Sequence, residues 1–191
     1  MVMILKDAIN QYGSLYKVKQ AMQKGELFKL SPGLYSKNET ASDIEIVMAS
    51  YKDAIFIMDN AFYFWGLTDV IPDQLHLATG RHMTRIKMAG AKQYFESVNY
   101  YGIGKTQMLY NGLSIRCYDR ERMLLELIRH RNKMAFDYYK EIVQSYRQLK
   151  DSLDFAKLDD YIDAIQATCT NLQVEKSPLS SKLSILSVDF G

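Results

Sequence analysis

The chain has 191 residues, and its 24 Lys and Arg against 22 Asp and Glu give a net charge of +2 at pH 7. Hydrophobic residues make up 48% and charged residues 24%, a profile that is typical of globular proteins and excludes a disordered one. No apolar run approaches the roughly 18 residues that cross a bilayer, and the apolar run 1–5 is too short for a signal peptide. The sequence therefore predicts a cytoplasmic protein that has no contact with a membrane.

Residues with catalytic or metal-binding potential are scattered along the chain. Cys117 and Cys169 form no CxxC pair, and the three histidines share no ligand spacing with them or with one another. No Ser-His-Asp or Cys-His grouping has local support. The sequence therefore predicts no catalytic residue, no metal, no cofactor and no enzymatic activity; a buried carboxylate or histidine cluster in a deep cleft would indicate an enzyme instead.

The first forty residues have the pattern of helix, helix and hairpin. Apolar residues of the segment 3–12 share one helical face, Gly13 interrupts it, and Ser14 suits the N-cap of a second helix that ends at Gly25. Residues 27–30 and 34–36 then flank Ser31-Pro32-Gly33, a sequence suited to a tight turn. This order predicts a small winged helix over residues 1–38.

The outward face of the second helix is the main candidate site. In a helix-turn-helix, the recognition helix buries one face and sends the other into the major groove. Lysine neutralises phosphates, and glutamine carries the paired donor and acceptor that match an adenine edge. The candidate DNA-binding residues, on this helix and on or behind the hairpin, are Tyr16, Lys17, Lys19, Gln20, Gln23, Lys24, Lys29 and Lys37. The alternative interpretation is a solvated helix face.

A secondary basic patch lies farther along the chain, at Arg81, Arg85 and Lys87, with His82 and Lys92 nearby and no acidic residue among them. Residues 151–163 are acidic on balance. Residues 1–40 hold six lysines against three acidic residues, so the chain is basic at one end and acidic toward the other, a polarity that would orient the molecule on a polyanion.

The sequence pattern of residues 39–171 predicts a mixed α/β domain with a helical end. Together with the winged helix, this predicts an α+β protein. We expect helices over 42–51 and 61–65, the latter capped by Asp59, and a buried segment at 54–58. A strand is predicted over 75–79, one or two more over 84–100, and a hairpin at Asn111-Gly112. Asp119 and Glu121 open the first of three further helices, the others lying near 134–149 and 155–170. Residues 172–191 are predicted to form a tail.

Three other segments allow two interpretations each. The aromatic run 60–73 suits a hydrophobic core better than a partner surface. The segment 102–106 lacks the first glycine of a phosphate-binding loop, since Asn99 stands there, so its glycines are turn residues. The spacing of three aspartates suits the solvent-exposed face of a helix better than a metal site; they are Asp159, Asp160 and Asp163.

Three motifs together resemble the AbiEi antitoxins, the regulatory halves of bacterial abortive-infection toxin–antitoxin systems. They are Lys24-Gly25-Glu26-Leu27 with Gly33-Leu34-Tyr35, then Asn60-Ala61 with Gly66-Leu67-Thr68-Asp69 and Ile71-Pro72, and then Tyr118-Asp119-Arg120-Glu121-Arg122 with Arg131-Asn132-Lys133. Their order and spacing extend the resemblance from about residue 4 to residue 170.

The resemblance implies a DNA-binding autorepressor of phage defence. Its winged helix would bind double-stranded DNA at inverted repeats in its own promoter, and its C-terminal domain would oppose a nucleotidyltransferase-like toxin, directly or indirectly. Because the module has only two helices and the repeats are inverted, we also expect two copies of the protein to associate on the DNA. The family's Glu-Arg pair corresponds to Glu121 and Arg122, which we interpret as a structural ion-pair element. The competing hypothesis is a protein-interaction module with no DNA-binding role.

Overall fold

The computed structural model describes residues 1–170 of the chain and the side chains of residues 1–165. The described residues fold into two compact units, Met1–Ala54 and a second that begins at Ile55. Each unit contains helices, a sheet and its own hydrophobic core. The protein is therefore α+β, as the sequence predicted.

Unit 1 consists of helices on a small antiparallel sheet. Its elements are β1 (Val2–Ile4), α1 (Leu5–Tyr12), α2 (Leu15–Gln23), β2 (Phe28–Ser31), β3 (Leu34–Ser36) and α3 (Asp43–Ser50). The strands are ordered β1-β3-β2. The core, between the two first helices and the sheet, contains Met3, Ala8, Val18, Ala21, Leu27 and Tyr35.

Local sequence explains how the elements of unit 1 begin and end. Gly13 closes α1 in the left-handed conformation, with φ +89°, which glycine adopts at low cost. The Ser14 hydroxyl then accepts a hydrogen bond from the backbone N–H of Lys17 at 3.2 Å and caps α2. The predicted order of helix, helix and hairpin is confirmed.

Unit 1 also contains two features that the sequence did not predict. Residues 2–4 form β1, which pairs Met3 with Tyr35, so α1 begins at Leu5 and not at residue 3. Helix α3 packs against β1, and unit 1 consequently runs to Ala54, whereas the predicted module ended at residue 38. Both features depend on contacts between segments that are distant in sequence, which local periodicity does not report.

Unit 2 consists of a five-stranded sheet and helices. Its elements are β4 (Ile55–Phe56), α4 (Met58–Phe64), β5 (Leu75–Gly80), β6 (Ala91–Glu96), α5 (Val98–Gly102), β7 (Lys105–Tyr110), β8 (Leu113–Tyr118), α6 (Arg120–His130), α7 (Phe136–Gln148) and α8 (Phe155–Thr170). The strand order is β6-β5-β4-β8-β7. The pairs β5–β6 and β4–β8 are parallel, and β4–β5 and β7–β8 are antiparallel.

Helix α6 is the central helix of unit 2. All residues from Glu121 to Ile128 are buried, so this helix is covered around its circumference. Its apolar residues share one core with side chains of α4, α7 and α8, which include Phe62, Ile142, Val143, Tyr146 and Leu158. The interpretation of the run 60–73 as core is confirmed at Phe62 and Phe64 and is wrong at Val70 and Ile71, which are 51% and 74% exposed.

The details of unit 2 differ from the sequence prediction in two places. Helix α4 begins at Met58, before Asp59, and its N-cap residue Ile57 supplies no side-chain hydrogen bond. The segment 84–100 contains the strand β6, as predicted, but it then enters the short helix α5, which was not predicted. The hairpin at Asn111-Gly112 forms as predicted, with Tyr110 opposite Leu113.

The predicted tail, residues 172–191, lies outside the described residues. None of the helices within residues 1–170 is long and apolar enough to cross a membrane.

Candidate nucleic-acid interface

The exposed face of α2 is built around three polar, uncharged side chains. At 100° per residue, Tyr16, Gln20 and Gln23 lie within about 60° of one another, and Val18 and Ala21 lie on the buried side. Tyr16 is 70% exposed, whereas Val18 is 1% and Ala21 4% exposed. The face that periodicity predicted to be outward is therefore open to solvent.

Lysines flank these three residues on both sides. Lys17 and Lys24 project on one side of the face and Lys19 on the other, and all three are exposed. Within residues 1–165, none of them forms an ion pair with an acidic side chain. Their charges are consequently available to a polyanion.

The hairpin supplies the remaining two predicted residues. Lys29 lies in β2 opposite Tyr35 of β3, and Lys37 follows β3 directly. Both lysines are exposed, and Gly33, with φ +81°, turns the chain between the strands. All eight predicted residues thus belong to unit 1, six on or directly after α2 and two on or beside the hairpin.

The secondary basic patch belongs to unit 2, in the connection between β5 and β6. Arg81, Arg85 and Lys87 are exposed, while Ile86 between them is buried. Gln93 holds the connection in place, since its Oε1 accepts from the Ile86 N–H at 2.7 Å and its Nε2 donates to the Thr84 carbonyl at 3.2 Å. The patch therefore points outward from an anchored segment.

A buried ionic cluster surrounds Glu126, and it was not predicted from the sequence. Arg122 Nη2 lies 2.7 Å from Glu126 Oε1, an ion pair whose angle does not suit a hydrogen bond. The Tyr100 hydroxyl donates to the same oxygen at 2.6 Å, and His130 Nε2 lies 3.3 Å from Oε2. Arg129 Nη1 donates to the Tyr100 hydroxyl at 2.7 Å. The spacing of four residues from Arg122 to Glu126 and on to His130 was a signal that could have revealed the cluster.

The cluster keeps the Glu126 carboxylate ionised. Burial by itself raises the pKa of Glu126, but the hydrogen bond from His130 and the charges of Arg122 and Arg129 outweigh it and lower the pKa to about 2. A general acid or base works best with a pKa near the operating pH. Glu126 is therefore suited to holding α6 in place and unsuited to proton transfer at neutral pH.

Glu121 and Arg122, the positions that the resemblance singles out, form separate ion pairs. Glu121 Oε2 lies 3.5 Å from Lys157 Nζ on α8, and its Oε1 accepts from the Asp154 N–H at 3.2 Å. Arg122 instead faces Glu126, with its guanidinium 3.8 Å from the ring centroid of Tyr100. Both residues are buried, and each forms an ion pair with another residue and not with its neighbour.

The remaining polar candidates of unit 2 have structural environments. His76 is buried, its backbone N–H donates to Asn60 Oδ1 at 2.6 Å, and its Nδ1 lies 3.7 Å from Asp59 Oδ2. Burial lowers the pKa of His76, against the opposing charge of Asp59. The aspartates at 159, 160 and 163 are exposed on α8. No group of three His, Cys, Asp or Glu side chains within the described part of the chain could hold a metal ion.

Comparison with known proteins assigns no family: no protein-family model matches the chain, and no curated protein matches it.

Proposed function

We propose that this protein binds double-stranded DNA through unit 1, represses transcription of its own operon, and acts as the antitoxin of an abortive-infection system. The observation that carries the proposal is the exposed face of α2. On this face Tyr16, Gln20 and Gln23 are bordered by lysines that have no acidic partner among the described residues.

The arrangement suits a helix that enters the major groove. The groove, about 12 Å wide, admits one α-helix, whose central side chains then meet base edges. The flanking lysines lie toward the two walls of the groove, where the phosphates are. Lys29 and Lys37 extend the cationic surface to the hairpin, which in winged helices contacts the backbone beside the groove.

The antitoxin part of the proposal is supported by the resemblance of the three motifs to AbiEi antitoxins. By that resemblance the partner is a nucleotidyltransferase-like toxin, opposed by unit 2 either through contact or indirectly. The two activities would then belong to different units of the chain.

The salt dependence of binding tests the part of the proposal that concerns DNA. Each phosphate contact releases counterions, so the logarithm of affinity falls with the logarithm of salt concentration by about 0.9 per contact. Titration of the full chain with a fluorescent duplex from the region upstream of its gene should give a steep slope. A salt-insensitive affinity, or none for that duplex, contradicts the proposal.

Charge reversal on α2 tests whether DNA binding and toxin neutralisation belong to different units. Lys17→Glu with Lys24→Glu should abolish binding to the upstream duplex while the protein still neutralises its toxin in co-expressing cells. Lys6→Glu with Lys52→Glu is the matched control, because both lysines are exposed in unit 1 outside α2 and the hairpin. The control should retain both activities.

The exposed apolar surface of α2 favours one second candidate, a protein-interaction module. Leu15 is 46% exposed and Tyr16 70%, and aromatic side chains are frequent in protein interfaces. If the α2 double variant loses toxin neutralisation together with DNA binding, a shared protein-binding surface explains the result better.

A further inference from the structure

On the exposed face of α2, the side chains of Tyr16 and Gln20 form a hydrogen bond with each other. The side-chain amide of Gln20 donates a hydrogen bond to the Tyr16 hydroxyl at 3.1 Å, across one helical turn. Both residues are exposed, so the bond does not serve core packing. The terminal torsion of a glutamine is broad, and a free glutamine can offer a base edge either of its two polar ends.

The bond to Tyr16 limits what Gln20 can present. With one amide N–H bound to the hydroxyl, the second N–H and the carbonyl Oε1 remain available to a ligand. This donor and acceptor match the N7 acceptor and N6 amino donor of adenine in the major groove. Guanine presents two acceptors at the same places, so the oriented Oε1 would face O6 without a proton between them.

We infer that Tyr16 is a positioning residue for Gln20, and that the pair selects adenine at one base pair of the bound duplex. The inference rests on the proposed DNA-binding function and names the base that one of its residues reads. Gln23 provides the comparison on the same face. Position 19, one turn before it, holds a lysine, and the side chain of Gln23 makes no hydrogen bond to another described residue.

The test measures base preference with the full chain. Dissociation constants are measured for a panel of duplexes from the upstream region in which each base pair is replaced in turn. Gln20→Ala should remove the preference for adenine at one position. Tyr16→Phe, which deletes only the hydroxyl, should lower the preference at that same position about fivefold to tenfold.

Two further readouts separate positioning from other roles. The Tyr16→Phe, Gln20→Ala double variant should lose no more preference than Gln20→Ala alone, because the hydroxyl acts through the amide. The salt slope of Tyr16→Phe should equal that of the unaltered protein, since no charge is removed. Gln23→Ala should retain the adenine preference at the Gln20 position.

Several results would overturn the inference. Retention of the full preference by Tyr16→Phe overturns it. A change of preference at a different base pair also overturns it, because Tyr16 then reads a base itself. Binding of the unaltered chain with no preference for any base overturns the inference while leaving DNA binding intact. Absence of binding to every duplex overturns the proposed function and the inference together.

Discussion

At the scale of single residues, Gly104 is the glycine with the least tolerance for a side chain among those of residues 1–170. Its φ is +73°, and an added Cβ would overlap Cβ of the buried Arg122 and lie 2.8 Å from Cγ. Its carbonyl accepts from the Asp119 N–H at 2.8 Å, which fixes the segment before β7 to the start of α6. Because Gly104 has no side chain, its backbone can lie against Arg122 and leave room for the Arg122–Glu126 pair.

Gly104→Ala should therefore destabilise the protein more than an ordinary glycine substitution does. Gly112→Ala is the matched control, since Gly112 has φ +80° and nothing within 4 Å of an added Cβ. We expect the control to cost about 1 kcal/mol for the left-handed conformation. Gly104→Ala should cost about 2 kcal/mol more, because the overlap must be relieved by shifting packed groups. Urea denaturation measures both, and equal losses would contradict the role assigned to Gly104.

Glu126 makes a specific contribution to stability in acid. Its pKa is lowered in the folded protein, so its stabilisation is present above the ordinary value of 4.5 and is lost as pH falls toward about 2. The difference corresponds to about 3 kcal/mol. Glu96 acts in the opposite sense, because burial and the charge of Glu126 raise its pKa.

Glu126→Gln should weaken the dependence of stability on pH between 5 and 2. It should also cost about 3–5 kcal/mol at pH 7, since it leaves the buried Arg122 without a countercharge. Thermal unfolding from pH 7 to pH 2, with the exposed Glu39→Gln as control, measures both effects. An unchanged acid dependence in Glu126→Gln would contradict the assignment of the low pKa to this residue.

At the scale of secondary-structure elements, Asp119 joins two helices of unit 2. Its Oδ1 accepts from the Arg122 N–H at 2.8 Å and caps α6. Its Oδ2 accepts from the Tyr161 hydroxyl and from Lys157 Nζ, both on α8 and both at 2.8 Å. The hydrogen bond and charge of Asp119 raise the pKa of Lys157, and burial together with Asp119 raises the pKa of Tyr161 to about 12.

Asp119→Ala should loosen both helices at once. The loss of the cap costs about 1 kcal/mol, and removing the acceptor of the Tyr161 hydroxyl and one of the two carboxylates beside Lys157 adds about 1 kcal/mol. Asp163→Ala, at an exposed position of α8, should change stability by less than about 0.5 kcal/mol. Chemical denaturation followed by circular dichroism gives both values. A loss below about 1 kcal/mol for Asp119→Ala would show that the link between α6 and α8 contributes little.

At the scale of the whole molecule, each unit has a core of its own. Val18 is 1% exposed in the core of unit 1, and Ile142 is fully buried in that of unit 2. Val18→Ala should lower the amide protection of α1, α2 and the hairpin by about tenfold or more, because it removes two buried methyl groups and leaves a cavity. Ile142→Val should act on unit 2 instead.

Hydrogen exchange followed by mass spectrometry reads the two units separately. Protection in β4 to α7 should be unchanged by Val18→Ala, and protection in unit 1 should be unchanged by Ile142→Val. A uniform loss over both units in either variant would show that the two cores unfold together.

Much of the fold was predictable because its signals are local. The caps Ser14 and Asp119, the turn at Asn111-Gly112 and the period of α2 each act within a few residues, and all have the predicted structure. The exposed face of α2 followed from periodicity alone, since the burial of Val18 and Ala21 determines the direction of the opposite side chains.

The sequence by itself determined the order of helix, helix and hairpin in unit 1, the hairpin at Asn111-Gly112, the three last helices, and which side of α2 faces solvent. The tertiary structure decided the pairing of β1 with β3, the parallel pairs of the large sheet, and the assembly of Tyr100, Arg122, Glu126 and His130. These contacts join residues far apart in the chain or depend on burial from all sides. The energies of the strand pairs arise only when distant segments meet. In the Glu126 cluster the spacing of four residues is visible in the sequence, but the burial and the contact with Tyr100 that give the cluster its strength exist only in the folded unit.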